Sequence, residues 1–365
     1  MAQEPARLLS VRDYADRARQ TLDEPTWGYF AGGSDDELTL RRNVAAFADL
    51  ELRPRVLVDV SRCDTRTTAL GAPIAVPILI APFAYQRLAH PDGEAATARA
   101  AGRAGTVLIA STMATTSLED TAAATDGPLW FQLYAFRDEG LTRALVARAE
   151  AAGYRALVIT VDAPRLGRRE RDLRSGFALP THLAAANLSG DEASSLLVRA
   201  EGVSALASHA DAHFDATLTW DKLERLRAAS RLPVVLKGVL TAEDAREAAA
   251  RGLDAIVVSN HGGRQLDGSP PTIEVLPEIV EAVSGTACEV YMDGGIRRGT
   301  DVLKALALGA RAVLVGRAAL FGLAVGGEDG VLHVLELLRA ELELAMALTG
   351  RPTLASIDGS LLRRR

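Results

Sequence analysis

Apolar residues along the chain gather in short, β-rich runs, each followed by a stretch whose apolar positions recur at helical spacing. Eight runs follow one another at 76–81, 106–111, 129–133, 156–161, 233–237, 255–259, 289–292 and 312–315. Strand runs alternating with helical patterns mark βα units around a parallel sheet, and eight of them predict a (β/α)8 TIM barrel of the α/β class. Alanine-rich stretches at 94–104 and 242–250 suit the outer helical layer. Thr241 followed by Asp244 reads as a helix start, and a periodic stretch runs from Thr300 to a stop at Gly309. Before the barrel, residues 8–50 read as helices with a turn at Ala31-Gly32-Gly33, within an N-terminal extension over 1–70. Residues 328–348 read as a terminal helix, followed by a tail to 365.

The fourth connection is anomalous. Roughly sixty residues separate Val161 from the helix near Asp221, far more than compact domains usually place between elements. We expect an insertion over 163–220 that acts as a mobile lid near the site. Its polar stretch 181–216 includes Asp191, Glu192, Arg199, Glu201, Asp211 and Asp215.

Composition narrows the class. The 365 residues fit one barrel domain with additions, and 48% hydrophobic residues supply its core. Basic residues (41) are outnumbered by acidic ones (47), for a net charge of −6, and are scattered, so no nucleic-acid footprint is expected. The basic end 363–365 reads as a frayed, solvated tail. Cys63 and Cys288 fit neither a disulfide framework nor a metal site, and no secretory signal or membrane-spanning run is apparent. A cytoplasmic protein without metal is the expectation.

Polar residues fall at or just past the strand ends: Gln132, Tyr134, Thr160, Asp162, Lys237, Ser259, His261, Asp293 and Arg317. In a barrel these converge on one mouth, where barrel chemistry is located. Asp293-Gly294-Gly295-Ile-Arg297 after the seventh run and Val315-Gly316-Arg317 after the eighth pair glycine-freed backbone with two cations. That combination predicts a phosphate site. Within 259–267, Ser-Asn-His-Gly-Gly-Arg-Gln-Leu-Asp, His261 and Arg264 set an imidazole three residues from a guanidinium. A base beside a fixed cation suits removal of a proton next to a carboxylate. Another phosphate-binding barrel, an aldolase or isomerase, explains the glycine-arginine loops and leaves His261 and Arg264 without a joint task. A non-catalytic binding barrel leaves the base and its cations unexplained.

The segment 259–267 resembles the active-site signature of the FMN-dependent 2-hydroxy acid oxidase and dehydrogenase family, and the resemblance runs from Tyr29 to about Thr349. It implies FMN as cofactor. Ala81, Pro82 and Ala84 would line the flavin, Ser111, Gln132, Thr160, Lys237 and Ser259 would hydrogen-bond its ring, and Asp293 its ribityl chain. Lys237 would place a cation at the flavin N1/O2 edge. Arg169, chosen from its arginine-rich stretch by this resemblance, joins Arg264 as a second fork for the substrate carboxylate, with Tyr29 and Tyr134 on the carboxylate and hydroxyl. His261 would be the base and Asp162 the group that holds its ring. The same resemblance implies (S)-2-hydroxy acids as substrates and a homotetramer.

The chain departs from the commoner oxidase pattern at Phe83 and Tyr85, where glycolate oxidases typically carry Thr and Met, and at Met113, which replaces an aromatic residue. An adaptable Met and added aromatic surface suit an aryl side chain, so mandelate or 4-hydroxymandelate is the expected substrate. Short- or long-chain aliphatic acids are the alternative. Oxygen is the expected electron acceptor, with hydrogen peroxide formed, since neither a haem domain nor a hydrophobic segment is seen; a dehydrogenase with another acceptor is the alternative.

Overall fold

The computed structural model describes residues 8–189 and 205–364; part of the expected lid, 190–204 with Asp191, Glu192, Arg199 and Glu201, lies outside them. Eight parallel strands close into a barrel: β1 (Ile78–Ile80), β2 (Leu108–Ser111), β3 (Leu129–Leu133), β4 (Leu157–Thr160), β5 (Val234–Val239), β6 (Ala255–Val258), β7 (Glu289–Asp293) and β8 (Ala312–Val315). β8 closes on β1, with Leu314 opposite Leu79. Each strand is followed by a helix, α1 (Gly93–Ala104), α2 (Leu118–Ala123), α3 (Glu139–Ala151), α4 (Trp220–Ala228), α5 (Ala242–Ala250), α6 (Thr272–Ala282), α7 (Gly299–Ala307) and α8 (Arg317–Leu348).

The strands are short and mostly apolar because both faces are covered. One face meets the helices. The other fills the barrel with Leu79, Ile109, Trp130, Val158, Val235, Val257, Tyr291 and Leu314, all essentially inaccessible. Successive side chains of a strand alternate between faces, so the next inward positions, two residues on, are Ala81, Ser111, Gln132, Thr160, Lys237, Ser259, Asp293 and Gly316. An apolar floor thus passes, in one step of the pleat, into a polar ring with two small residues side by side.

Before the barrel lie helices Val11–Thr21, Glu24–Ala31 and Leu38–Ala45. Ser10 and Asp23 cap the first two through the N–H groups of Asp13 and Thr26. Trp27 stacks on Phe321 of α8, with ring centroids 5.5 Å apart, which seats the second helix at the mouth of the barrel. A hairpin pairing Thr67–Ala69 with Ala72–Ile74 contributes Ala69 and Ile74 to the barrel interior.

Two expectations are corrected, the bounds of β5 and the frayed tail, and the terminal helix over 328–348 is found. β5 runs past Lys237 to Val239 with a register shift at Gly238, whose φ of 114° and contact with Asp162 leave no room for a side chain. The terminal helix is the far half of α8, which breaks at Gly326 and Gly327, where φ reaches −148° and 56°. By length and composition α8 is apolar enough to cross a bilayer, yet 67% of its most apolar stretch is buried. The basic end is not frayed through Arg364: Leu362–Arg364 pairs antiparallel with Leu50–Leu52, which joins the tail to the N-terminal extension; Arg365 lies outside the described residues.

Candidate active site

The polar ring is wired in two halves. Ser111 Oγ donates to Gln132 Oε1 at 3.1 Å, and Gln132 Nε2 donates to Thr160 Oγ1 at 3.0 Å. Lys237 Nζ donates to Ser259 Oγ at 2.8 Å and lies 3.1 Å from Asp293 Oδ2, which also accepts from Ser259 Oγ at 2.9 Å. Burial opposes the charge on Lys237, but Asp293 and Asp162 outweigh it and raise the ammonium above its usual range. The other oxygen of that aspartate, Oδ1, is buried with no partner.

Above the ring, His261 Nδ1 sits 3.0 Å from Asp162 Oδ1 and 3.3 Å from Oδ2. His261 holds the left-handed backbone, φ 58°, and so do Gly262 and Gly263; the glycines supply this turn without a Cβ penalty, and His261 carries the strain. Its backbone N–H donates to Ser259 Oγ at 3.1 Å, which pins the strained residue to the ring. Burial lowers the imidazole below its usual value, with Asp162 opposing and Lys237 assisting, so the ring is neutral at pH 7. Burial also opposes ionisation of Asp162, but the facing His261 and Lys237 outweigh it and keep the carboxyl low.

Four guanidinium groups surround the same space. Arg169 Nε is buried without a partner. Arg264 stands 5.0 Å over the Tyr29 ring and donates to the carbonyls of Tyr29 and Gly32; burial, then Arg169, lowers it to about 10. Arg317 donates to the carbonyls of Phe30, Gly262 and Gly32 at 3.0, 2.9 and 2.7 Å. This modifies the simple picture of a free phosphate-binding cation, because part of its fork holds the N-terminal extension. Burial and then Arg264, Arg297 and Arg169 disfavour its charge, a cost that an anion in the cavity relieves. Arg297 is enclosed as well, with Nη1 donating to the Ile296 carbonyl.

The glycines of the two loops expected to meet a phosphate act differently from one another. A Cβ on Gly295, φ 83°, would lie 2.0 Å from the Asn43 carbonyl oxygen, so this glycine admits the backbone of the extension. A Cβ on Gly316 would meet only Ala81, at 3.7 Å. Gly316 therefore borders open space, at the N-terminus of α8, where backbone N–H groups favour an anion. The orphaned Asp293 oxygen, the enclosed cations and this open cradle fit a ring-bearing phosphate such as FMN.

Most of these groups line one cavity with about 1230 Å3 of empty space, open solvent included. Ala81, Pro82, Ala84, Ser111, Gln132, Thr160, Lys237, Asp293, Gly294, Gly295, Arg297, Gly316 and Arg317 border it, as do Tyr29, Phe83, Tyr85, Met113, Tyr134, Arg169, His261 and Arg264. Ser259 and Asp162 stand behind, bonded to Lys237 and His261. Tyr29 stacks on Phe177 and Tyr134 on Phe214, each pair 4.5 Å between centroids. By contrast Arg168 and Arg171 are exposed and paired with Glu170 and Glu37. Among the described residues, no cluster of three or more metal-ligating side chains occurs.

Sequence reading placed the long connection near the site and took Arg169 from its first part, but missed three residues of its second part. Helix Ala205–His213 brings Leu206 and His209 to the cavity, and Phe214 follows. The spacing of Leu206, His209 and Ala210, one helical face, was the available signal.

Comparison with known proteins agrees with this geometry. Residues 18–364 match the family model described as FMN-dependent dehydrogenase. An L-lactate oxidase from Nostoc sp. is 52% identical over 358 residues, 97% of this chain and 98% of that protein. Glycolate oxidase 1 of Zea mays is 49% identical, covering 96% and 94%. A crystal structure of mandelate oxidase with (S)-4-hydroxymandelic acid superposes with a TM-score of 0.93 at 48% identity, covering 98% of both chains.

Proposed function

The chain belongs to the FMN-dependent dehydrogenase family and is an FMN-dependent 2-hydroxy acid oxidase, and from that premise we propose that it oxidises an (S)-2-hydroxy acid with an aryl side chain, mandelate or 4-hydroxymandelate, to the 2-oxo acid, with oxygen reduced to hydrogen peroxide. The observation that carries the reading is the meeting, in one cavity, of a neutral His261 with two guanidinium groups suited to a carboxylate. When bound, FMN would supply the two-electron redox chemistry that links oxidation of the substrate to reduction of oxygen.

The remaining work falls to the protein. Arg169 and Arg264 fix the substrate carboxylate as two forks, with Tyr29 beside them. Tyr134 orients the 2-hydroxyl. Asp162 occupies His261 Nδ1, which leaves Nε2 to accept the substrate proton, and its carboxylate stabilises the imidazolium that forms. Ser111, Gln132, Thr160, Lys237, Ser259 and Asp293 would hold the cofactor ring and ribityl chain, and the loops at 293–297 and 316–317 its phosphate. The small pair Ala81 and Gly316 leaves room for it.

Support for an aryl side chain comes from Phe83, Tyr85 and Met113, which border the cavity together. Burying a ring against them contributes about 1.5–3 kcal/mol. The lactate and glycolate oxidase relatives favour a second reading, a short-chain substrate. A kcat/KM comparison across glycolate, lactate, a long-chain acid and both mandelates, with peroxide measured in step, decides between them. Preference for either short acid overturns the aryl assignment, and reduced flavin that persists in air overturns oxygen as acceptor.

A further inference from the structure

We propose that the Tyr85 hydroxyl recognises a hydrogen-bonding group on the substrate's side chain, so that the enzyme selects hydroxylated aryl 2-hydroxy acids over unsubstituted ones. The proposal rests on the aryl reading above and goes further, from a hydrophobic wall to a polar contact.

Among the described residues, the side chains that border the catalytic cavity include three with a buried polar atom for which no hydrogen bond is seen and which face the cofactor and substrate groups: Asp293 Oδ1, Arg169 Nε and the Tyr85 hydroxyl. Buried polar groups in folded proteins are almost always paired, so each orphan at a binding cavity asks for a ligand atom. Asp293 is answered by the ribityl hydroxyls of the cofactor and Arg169 by the substrate carboxylate. Tyr85 is left.

Two features argue that its position is built. Tyr85 holds a left-handed backbone, φ 57°, which is an outlier for a bulky aromatic residue and persists only where the surroundings over-determine it. Those surroundings are clear. The Tyr85 N–H donates to the Met113 carbonyl at 3.1 Å. The next residue, Gln86, donates its N–H to the buried Glu94 carboxylate at 3.1 Å. Glu94 in turn accepts from the Thr115 N–H at 2.8 Å and from the hydroxyls of Thr115 and Thr116, so it ties the loop after β1 to the loop after β2. The phenol is therefore delivered from the wall that carries Phe83 and Met113, the wall assigned to the substrate side chain. The carboxylate already has two forks. A phenolic substituent, both donor and acceptor, matches a tyrosine hydroxyl in either sense.

The test uses FMN-loaded protein and acids that lack the 2-hydroxyl and cannot turn over: phenylacetate, 4-methylphenylacetate and 4-hydroxyphenylacetate, titrated by calorimetry. Wild type should bind the 4-hydroxy acid about tenfold more tightly than its 4-methyl counterpart of similar size, the worth of one buried hydrogen bond. Tyr85→Phe should abolish that ratio, and the kcat/KM ratio of 4-hydroxymandelate to mandelate should fall in parallel. Equal binding of the two substituted acids by wild type overturns the proposal without any variant and leaves the aryl reading standing. A ratio retained in Tyr85→Phe also overturns it. If wild type binds none of the three acids, the aryl reading itself fails and the proposal with it.

Discussion

His261 Nδ1 lies 3.0 Å from Asp162 Oδ1, and that contact leaves Nε2 as the nitrogen free to face a substrate. Asp162 packs on Gly238, where β5 shifts register, so a position without a side chain makes room for the histidine's partner.

Replacement of His261 by Asn should keep bound FMN and lower kcat/KM by about 100- to 10,000-fold, the range for loss of a general base. Anaerobic flavin reduction by substrate measures this directly. Reduction at the wild-type rate would remove His261 from the reaction.

The pH profile follows from the direction of its titration. The base acts when neutral, and burial holds its pKa below the 6.5 of an ordinary histidine. On lowering the pH, kcat/KM should therefore fall with a midpoint below 6.5. Asp162→Asn removes the group that raises this pKa, so the acid limb should move to lower pH while the rate drops. A limb that moves upward contradicts the pairing.

Arg169→Met and Arg264→Met should each lower kcat/KM by an amount equivalent to about 1.5–3 kcal/mol, the worth of a hydrogen bond to charge. Thermal denaturation separates the two. Arg264 also ties the Tyr29 and Gly32 carbonyls to the barrel, so only its replacement should lower Tm clearly. Equal Tm for both variants refutes that second role.

Gly295→Ala and Gly316→Ala should both weaken FMN binding, for different reasons. The first forces the chain against the Asn43 backbone, and the apoprotein should lose stability; the second meets only Ala81, so apoprotein Tm should hold while FMN affinity drops. Fluorescence titration with FMN and apoprotein melting curves report the two effects. Unchanged FMN affinity in Gly316→Ala would show that the cradle is not where the phosphate lies.

His209 gives a stability signature. Burial, then His213, lowers it to about 4. Between 6.5 and about 4 the unfolded chain binds a proton that the folded one does not, so stability rises with pH across that window and is lost as pH falls. The loss amounts to about 3 kcal/mol at most. Urea denaturation at pH 6.5 and 4.5 should show a smaller difference in His209→Gln; an equal difference refutes the assignment.

The barrel was legible because its strands, covered on both faces, are mostly apolar runs, and because a polar residue two places beyond six of the eight inward core residues is hard to explain by packing. Lys237 and Asp293 announced themselves this way, and His261 by following the ring residue Ser259. Other features depend on partners remote in sequence. Nothing local distinguishes Leu362–Arg364 from a loose tail until Leu50–Leu52 lies beside it. Gly295 reads as a phosphate-loop glycine, and its contact with Asn43 appears only in three dimensions. Leu206, His209 and Phe214 were hidden in a long polar connection whose one short apolar face is easily missed.

The contacts of Arg317 with the carbonyls of Phe30 and Gly32, and of Gly295 with Asn43, mean that the phosphate end of the cavity is walled by the first part of the chain and the last barrel strands together. No nascent chain emerging from a ribosome can assemble that wall until residue 317 has been made and the opening helices have docked. Cofactor loading should therefore report on the docking of the opening helices, and a chain that ends before residue 317 should stay colourless.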